Sequence, residues 1–302
     1  MRPVAPALYP FTSHFFDRSG LRLHYLDEGQ GPVLVLLHGT PTWSFHFRAV
    51  VLALRGRYRI IVPDHMGMGL SDRPGDDRYG YRLANRIDDL DALLAHLGID
   101  RDVTLVMHDW GGMIGMGWAA RRPQAIARMV LLNTAAFHMP PGARVPIALR
   151  LLRGTALGNL LIRRTSAFVR IAARRCVCRP LPPAVRAAYL APYDSPAARL
   201  ALQRFLEDVP VEPDHPSHAL VGEIEASLPR FKATPTLLCW GERDVVLPPS
   251  VLRAWRGHWP QAEVRTFAHC GHYLIEDAPD EVCAAIAGFL RRTDGPGAVT
   301  AA

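Results

Sequence analysis

Three residues in this chain have the types and the order needed for covalent catalysis by a carboxylate. Residues 103–108, Val-Thr-Leu-Val-Met-His, form an apolar run with strand character, and Asp109-Trp110-Gly111-Gly112 follows at once, ahead of an apolar helix of small residues over 113–120. A strand, a sharp turn with glycines just after it and a helix push one side chain out at the carboxyl edge of a sheet. A carboxylate on that tip attacks carbon and forms an ester with the protein, chemistry distinct from that of serine lipases and proteases. Asp244 follows the apolar run 236–240, and His272, in His269-Cys-Gly-His272, follows the run 263–267. Alone, Asp109 could be a helix cap and Asp244 an ordinary loop residue. Together, each after a strand and in the order nucleophile, acid, histidine, they form a candidate triad. His269 is assigned to packing or solvent.

A fourth strand end carries the expected electrophilic aid. Residues 33–37, Val-Leu-Val-Leu-Leu, run into His38-Gly39-Thr40-Pro41. The amides of Thr40 and Trp110 are the expected oxyanion donors, one from this loop and one from the residue after the nucleophile. This is the α/β-hydrolase arrangement. One departure is Met107, two residues before the nucleophile, where a small residue is usual.

The elements that must position these groups can be placed from patterning. Residues 15–16 and 21–25 pair as a hairpin across Ser19-Gly20. A helix is expected near 45–54, a strand at 58–62, and a glycine- and proline-marked loop through 67–74. Residues 82–97 have helical period, with Ile87, Leu90, Leu93, Leu94 and Leu97 apolar. Alternation of strand and helix continues to 129–132, which implies a mostly parallel sheet with helices on both faces. From 137 to 230 strand character disappears and proline-broken helical stretches take over. The expected organisation is therefore an α/β-hydrolase core at 14–136 and 231–292, a helical cap at 137–230 that shields the nucleophile from water, and a disordered tail at 293–302. The cap's many aliphatic residues, among them Leu149, Leu151, Leu152, Leu157, Leu160, Leu161, Ile162, Phe168, Val169 and Ile171, serve either packing or an alkyl-binding pocket.

Composition fits an enzyme of this kind. Of 302 residues 49% are hydrophobic, no apolar run approaches the ~20 needed to span a bilayer, and residues 1–6 lack a signal peptide's apolar segment. Five cysteines, an odd number without metal spacing, point to reduced thiols and a cytoplasmic location. No cofactor and no metal site are expected. Net charge is +7, carried by arginine with Lys232 as the single lysine. The arginines concentrate between Arg144 and Arg186, either as a solvated helix face or as a basic surface for an acidic partner, an anionic membrane or an acyl carrier. Nucleic-acid binding has no supporting motif.

The stretches 38–45 (His-Gly-Thr-Pro-Thr-Trp-Ser-Phe), 63–72 (Pro-Asp-His-Met-Gly-Met-Gly-Leu-Ser-Asp), 108–112 (His-Asp-Trp-Gly-Gly) and Gly271-His272 resemble the haloalkane dehalogenase group over roughly residues 14 to 290. Residues 88–94, 108–117, 133–137, 186–195 and 204–210 are similar to the β-lactone decarboxylases of bacterial long-chain olefin biosynthesis, relatives of those dehalogenases. The last two stretches lie in the cap, the variable part of this fold. The resemblance implies Asp109 as nucleophile, His272 as base or orienting group, Asp244 as its acid partner, and Thr40 with Trp110 as leaving-group donors. Trp43, Phe137 and Tyr193 are expected to contact a hydrophobic small-molecule substrate. Partners expected are the other enzymes of olefin biosynthesis and a second copy of the chain.

The leaving group separates the two activities. A dehalogenase holds its halide with two side-chain N–H donors, one being the indole after the nucleophile, matched by Trp110. The other is an asparagine after His-Gly or a tryptophan on the cap. Here that first position is Thr40, and residues 137–230 contain no tryptophan. Losing one donor to a buried developing anion costs on the order of 3 kcal/mol. A β-lactone needs no halide site, since its leaving group is a tethered carboxylate. Decarboxylation of long-chain cis-β-lactones to cis-alkenes is therefore the leading expectation and dehalogenation the alternative. An epoxide hydrolase, using Tyr189 and Tyr193 as cap donors, comes third. A non-catalytic scaffold on this fold is disfavoured because no triad member is missing.

Overall fold

The structure, a computed structural model, describes residues 4–140, 153 and 155–294. Eight strands form one sheet in the order β1-β2-β4-β3-β5-β6-β7-β8. They are β1 (His14–Asp17), β2 (Arg22–Glu28), β3 (Val33–Leu37), β4 (Arg59–Pro63), β5 (Val103–Asp109), β6 (Ile126–Thr134), β7 (Thr236–Gly241) and β8 (Glu263–Phe267). β1 and β2 run antiparallel to their neighbours and the rest are parallel. The hairpin turns through Ser19 and Gly20, both at positive φ (55° and 77°), the twist that a tight two-residue hairpin connection requires.

Alternation along the central strands divides the core into two layers. Val35, Leu37, Leu105, Met107, Met129 and Leu131 face α2 (Leu83–His96), α3 (Trp110–Arg121), α8 (His218–Ser227) and α9 (Pro249–His258). Leu34, Leu36, Val106, Val130 and Leu132 face α1 (Arg48–Leu54), the short α10 (Leu274–Asp277) and α11 (Pro279–Thr293). The α2 register matches its apolar spacing, with Ile87, Leu90, Leu93 and Leu94 buried. The helix expected near 45–54 is split: residues Ser44–Phe47 form a 3-10 turn before α1 begins.

Between β6 and β7 the described residues are helical: α4 (Ala156–Arg164), α5 (Ala167–Arg175), α6 (Pro183–Leu190), α7 (Leu200–Glu207) and α8. They lie against the loops at the carboxyl ends of the strands. The Trp43 indole donates to the Ala188 carbonyl at 3.2 Å, Tyr193 donates to the Thr42 carbonyl at 3.2 Å, and the Tyr273 amide donates to the Cys176 carbonyl at 2.7 Å. Leu149, Leu151 and Leu152 lie outside the described residues. Of the remaining expected cap aliphatics, Ile162 and Val169 are buried, whereas Leu157, Leu160, Leu161 and Ile171 are exposed. No helix among the described residues is long and apolar enough to cross a membrane. α11 runs to Thr293, and Asp294 accepts from Tyr58 and Arg128.

Met107 is accommodated by a glycine on the helix above it. A Cβ at Gly115 of α3 would stand 2.5 Å from the Met107 Sδ and 2.9 Å from Leu37 Cδ1. Helix propensity favours alanine there by about 1 kcal/mol, but overpacking costs about 1–3 kcal/mol. The expected result for Gly115→Ala is a net loss of about 1 kcal/mol in the native background and no loss when Met107 is already alanine, although Met107→Ala itself costs about 2–5 kcal/mol. Urea unfolding of the three variants is the check, and an additive double mutant would disprove the coupling.

Candidate active site

Asp109 closes β5 with φ 51° and ψ −123°, a strained conformation for a residue with a side chain and one that needs surrounding support. The support is local: the Thr134 hydroxyl donates to the Asp109 carbonyl at 2.5 Å, and Trp255 of α9 donates to the Thr134 carbonyl at 2.7 Å. The carboxylate is mostly buried. Its Oδ2 accepts the Thr40 amide at 2.8 Å and its Oδ1 lies 3.5 Å from His272 Nε2. On the far side of the imidazole, Nδ1 lies 2.8 Å from Asp244 Oδ2. Nucleophile, histidine and acid are thus brought into one line.

Each partner is itself held. Asp244 Oδ1 accepts the amides of Val246 (2.6 Å) and Leu247 (3.1 Å), and Oδ2 accepts the Asn133 side chain at 2.6 Å. Asn133, at φ 35° near the end of β6, also exchanges hydrogen bonds with the Gly241 amide and carbonyl. The Thr40 loop is pinned by histidines. His38 Nδ1 donates to the Gly39 carbonyl (2.8 Å), His38 Nε2 accepts the His65 amide (3.2 Å), and His65 Nε2 donates to the His38 carbonyl (2.8 Å). Gly39 must lack a side chain, because a Cβ there would meet Asp109 Oδ2 at 2.0 Å.

The charge state follows from these contacts. Burial opposes ionisation of Asp109, but the hydrogen bond and charge of His272, with the Thr40 amide, hold it below the usual carboxylate range. Burial alone would lower His272, yet Asp244 and Asp109 push it up to about 10. His108, buried beside that cation, is lowered to about 4 and stays neutral. At neutral pH Asp109 is therefore a carboxylate and His272 an imidazolium. The linked stability has a definite sign. A histidine at 6.5 unfolded and about 10 folded contributes stability present in full below pH 6.5 and lost as pH rises through 10. Melting temperatures from pH 6.5 to 10 should fall more steeply for the native protein than for His272→Gln. Parallel slopes would show that His272 is not the raised group.

Thr40 contributes more than an amide: its hydroxyl oxygen is buried and has no hydrogen-bond partner among the described residues. Trp110 is buried at the start of α3. Its amide, expected as the second oxyanion donor, makes no hydrogen bond to the Asp109 carboxylate in this structure, and its indole N–H has no acceptor among the described residues. The indole ring meets the edge of Phe205 from α7 at 5.3 Å. Arg86 of α2, wholly buried, stacks over Phe205 at 3.6 Å and lies 5.8 Å from the Trp110 ring. Its Nη1 donates to the Tyr81 carbonyl and lies 3.5 Å from the buried Asp208 carboxylate, while Nε and Nη2 are unpartnered among the described residues. Arg86 and Phe205 escaped the sequence reading, and only the two-residue pattern of a buried arginine in an apolar helix face could have flagged them.

The three side chains expected at the substrate are all engaged with the protein. Trp43 is fully buried, spends its N–H on Ala188, and packs between Tyr9 and Phe45. Phe137 packs on Trp255 and His258. Tyr193 is buried with its hydroxyl on the Thr42 carbonyl. All three hold the helices to the core. The second epoxide donor is likewise engaged, since Tyr189 bonds His46 (2.8 Å) and Glu276 (2.5 Å). His269 is half-exposed beside Glu281 at 3.2 Å, as expected of a residue outside the site.

Residues 32–279 match the family model of the α/β hydrolase fold. A cis-3-alkyl-4-alkyloxetan-2-one decarboxylase of Shewanella oneidensis is 50% identical over 95% of this chain and 91% of its own length. Haloalkane dehalogenase 2 of Mycobacterium tuberculosis is 34% identical over 93% of this chain and 96% of its own. Among solved structures, haloalkane dehalogenase DbeA from Bradyrhizobium elkani superposes with a TM-score of 0.82 at 27% identity, covering 94% of this chain and 98% of that one. The order of the strands, the elbow that carries Asp109 and these relatives agree, and the chain belongs to the α/β-hydrolase fold family, in the group that holds the haloalkane dehalogenases and the β-lactone decarboxylases.

Proposed function

We propose that this protein decarboxylates cis-disubstituted β-lactones to cis-alkenes, with Asp109 as nucleophile. The observation that favours a lactone over a halide is the leaving-group site: Trp110 supplies a side-chain N–H there, while Thr40 offers a hydroxyl and no carboxamide. The higher identity to a decarboxylase (50%) than to a dehalogenase (34%) supports the same choice.

Asp109 attacks the β-carbon and the ring C–O bond breaks, which inverts that carbon and frees a carboxylate. The Trp110 indole and the Thr40 hydroxyl, both without a hydrogen-bond partner among the described residues, are the donors offered to the departing anion. The carbon–carboxylate bond then breaks, its electron pair becomes the alkene π bond, carbon dioxide leaves, and the ester bond to Asp109 returns its electrons to the carboxylate. Inversion followed by anti elimination preserves cis geometry. No proton is gained or lost, so the imidazolium of His272 needs only to orient and charge-balance Asp109. An enzyme that hydrolysed the ester would instead need His272 neutral to activate water. Attack at the carbonyl, giving a mixed anhydride, is the second route to the same products.

The test is incubation with a long-chain cis-β-lactone and, separately, 1-bromobutane, reading alkene and bromide for the native protein and Thr40→Asn. The expected outcome is alkene from the native protein, with bromide release raised by Thr40→Asn by about two orders of magnitude and alkene formation little changed. Strong bromide release by the native protein, unchanged or lowered by the substitution, would support a dehalogenase with its second donor elsewhere.

A further inference from the structure

The outer face of α4 and α5 combines exposed aliphatic side chains with unpaired arginines. Leu157, Leu160 and Leu161 of α4 are 67%, 54% and 41% exposed, and Ile171 of α5 is 57% exposed. Soluble monomers seldom leave aliphatic side chains clustered in this way. The opposite faces of the same helices bury Ile162, Val169, Ala172 and Ala173, so the helices are anchored and the leucines are free to face outward. Arg163, Arg164, Arg170, Arg174 and Arg175 lie among them, and none forms an ion pair with a carboxylate among the described residues. Arg163 uses only its Nε, on the Pro196 carbonyl. A recess of about 460 Å³ opens between Ala156, Asn159, Leu160, Arg163, Arg164 and Pro196. In the sequence, residues 110–193 contain no aspartate or glutamate at all. Asp194 precedes Pro196 at the rim of the recess, and Asp76, which feels the charge of Arg163, is already bound by Arg204, as Glu212 is by Arg153.

We propose that this face docks on an anionic lipid bilayer, the arginines on phosphate headgroups and the leucines at the acyl boundary. Helices with a basic polar side and aliphatic residues lie in the interface plane in this way. Guanidinium suits phosphate, which it grips with paired N–H groups. The charge complement points to an anionic surface, and the aliphatic residues interleaved with the arginines point to lipid rather than to a purely acidic protein. For the function, the inference rests on the proposed reading: a long-chain lactone and its alkene are poorly soluble in water, and a cap seated on the bilayer would draw substrate from it and return product to it.

The experiment is co-sedimentation of the full chain with phosphatidylcholine vesicles, with and without phosphatidylglycerol, at low and high salt. Binding is expected only with phosphatidylglycerol and is expected to fall at high salt. Each arginine near an anionic surface is worth about a fivefold change in partitioning. The combined variant Arg163→Gln, Arg164→Gln, Arg174→Gln, Arg175→Gln should therefore bind more than a hundredfold more weakly. Leu157→Ser with Leu160→Ser and Leu161→Ser should also weaken it. The control carries the same charge change on other faces, Arg57→Gln, Arg253→Gln, Arg256→Gln and Arg291→Gln, and should keep most of the binding. Equal loss in the control would reduce the effect to net charge and overturn the proposal. So would failure to bind phosphatidylglycerol vesicles, or capture of an acidic protein by a chain that ignores vesicles. Vesicle binding needs no turnover, so a protein that binds vesicles yet yields no alkene refutes the lactone reading and leaves the docking surface standing.

Discussion

Alkene formation from a cis-β-lactone is expected to fall by about four orders of magnitude or more in Asp109→Ala, the scale seen when a covalent nucleophile is removed. Alanine keeps the backbone at φ 51° and leaves Thr134, Trp255 and the two core layers untouched. It deletes only the carboxylate that would form the ester. The fold should survive, because the carboxylate's contacts are one amide and one imidazole and His272 retains Asp244. Gas chromatography of the alkene, alongside thermal unfolding of the same sample, is the measurement. Alkene formation near the native rate in a folded Asp109→Ala protein would remove Asp109 from the mechanism.

The second large effect is expected in His272→Ala, and its form depends on the chemistry. Given a haloalkane, this variant should form the alkyl ester on Asp109 and fail to release it, because no base remains to activate water. Given a β-lactone, it should lose rate by about two orders of magnitude, the scale of losing one preorganised electrostatic partner, without accumulating an ester, because the second step expels Asp109 unaided. Loss of the cation also frees Asp109 from the partner that holds its pKa down, so the rate of the variant should fall at a higher pH on the acid side than that of the native protein. Intact mass after each substrate separates the cases. An ester trapped from the haloalkane, with no alkene from the lactone in the native protein, would assign the protein to dehalogenation.

The line of Asp109, His272 and Asp244 was legible because Asp109 closes one strand and the other two lie within five residues of the ends of two more. Val-Thr-Leu-Val-Met-His into Asp109, Thr-Leu-Leu-Cys-Trp into Gly-Glu-Arg-Asp244, and Glu-Val-Arg-Thr-Phe into the His272 loop all place a functional group at one sheet edge by topology alone. Side-chain direction in loops and cap helices has no such rule. The packing of Trp43, Phe137 and Tyr193 against their neighbours was therefore not legible. Arg86 and Phe205 lie 119 positions apart, counting 205 minus 86, and their stacking behind Trp110 depends on how α7 crosses α2. Asn133 was visible as part of a motif, but its grip on Asp244 required the register of β6 beside β7.

The vacancy at Gly115 gives Met107 a history. The two positions face each other across the helix–strand interface, and only one of them can be large. A lineage moving between a small and a large residue at position 107 must pass through a particular order of events. Toward methionine, the glycine has to come first. Away from it, the strand residue has to shrink before the helix can gain a methyl group. Either reversed order crosses an intermediate with two bulky groups in one space. Homologues should accordingly fill these positions as a pair, and an engineer grafting this elbow onto another scaffold must carry both residues, although only one adjoins the chemistry.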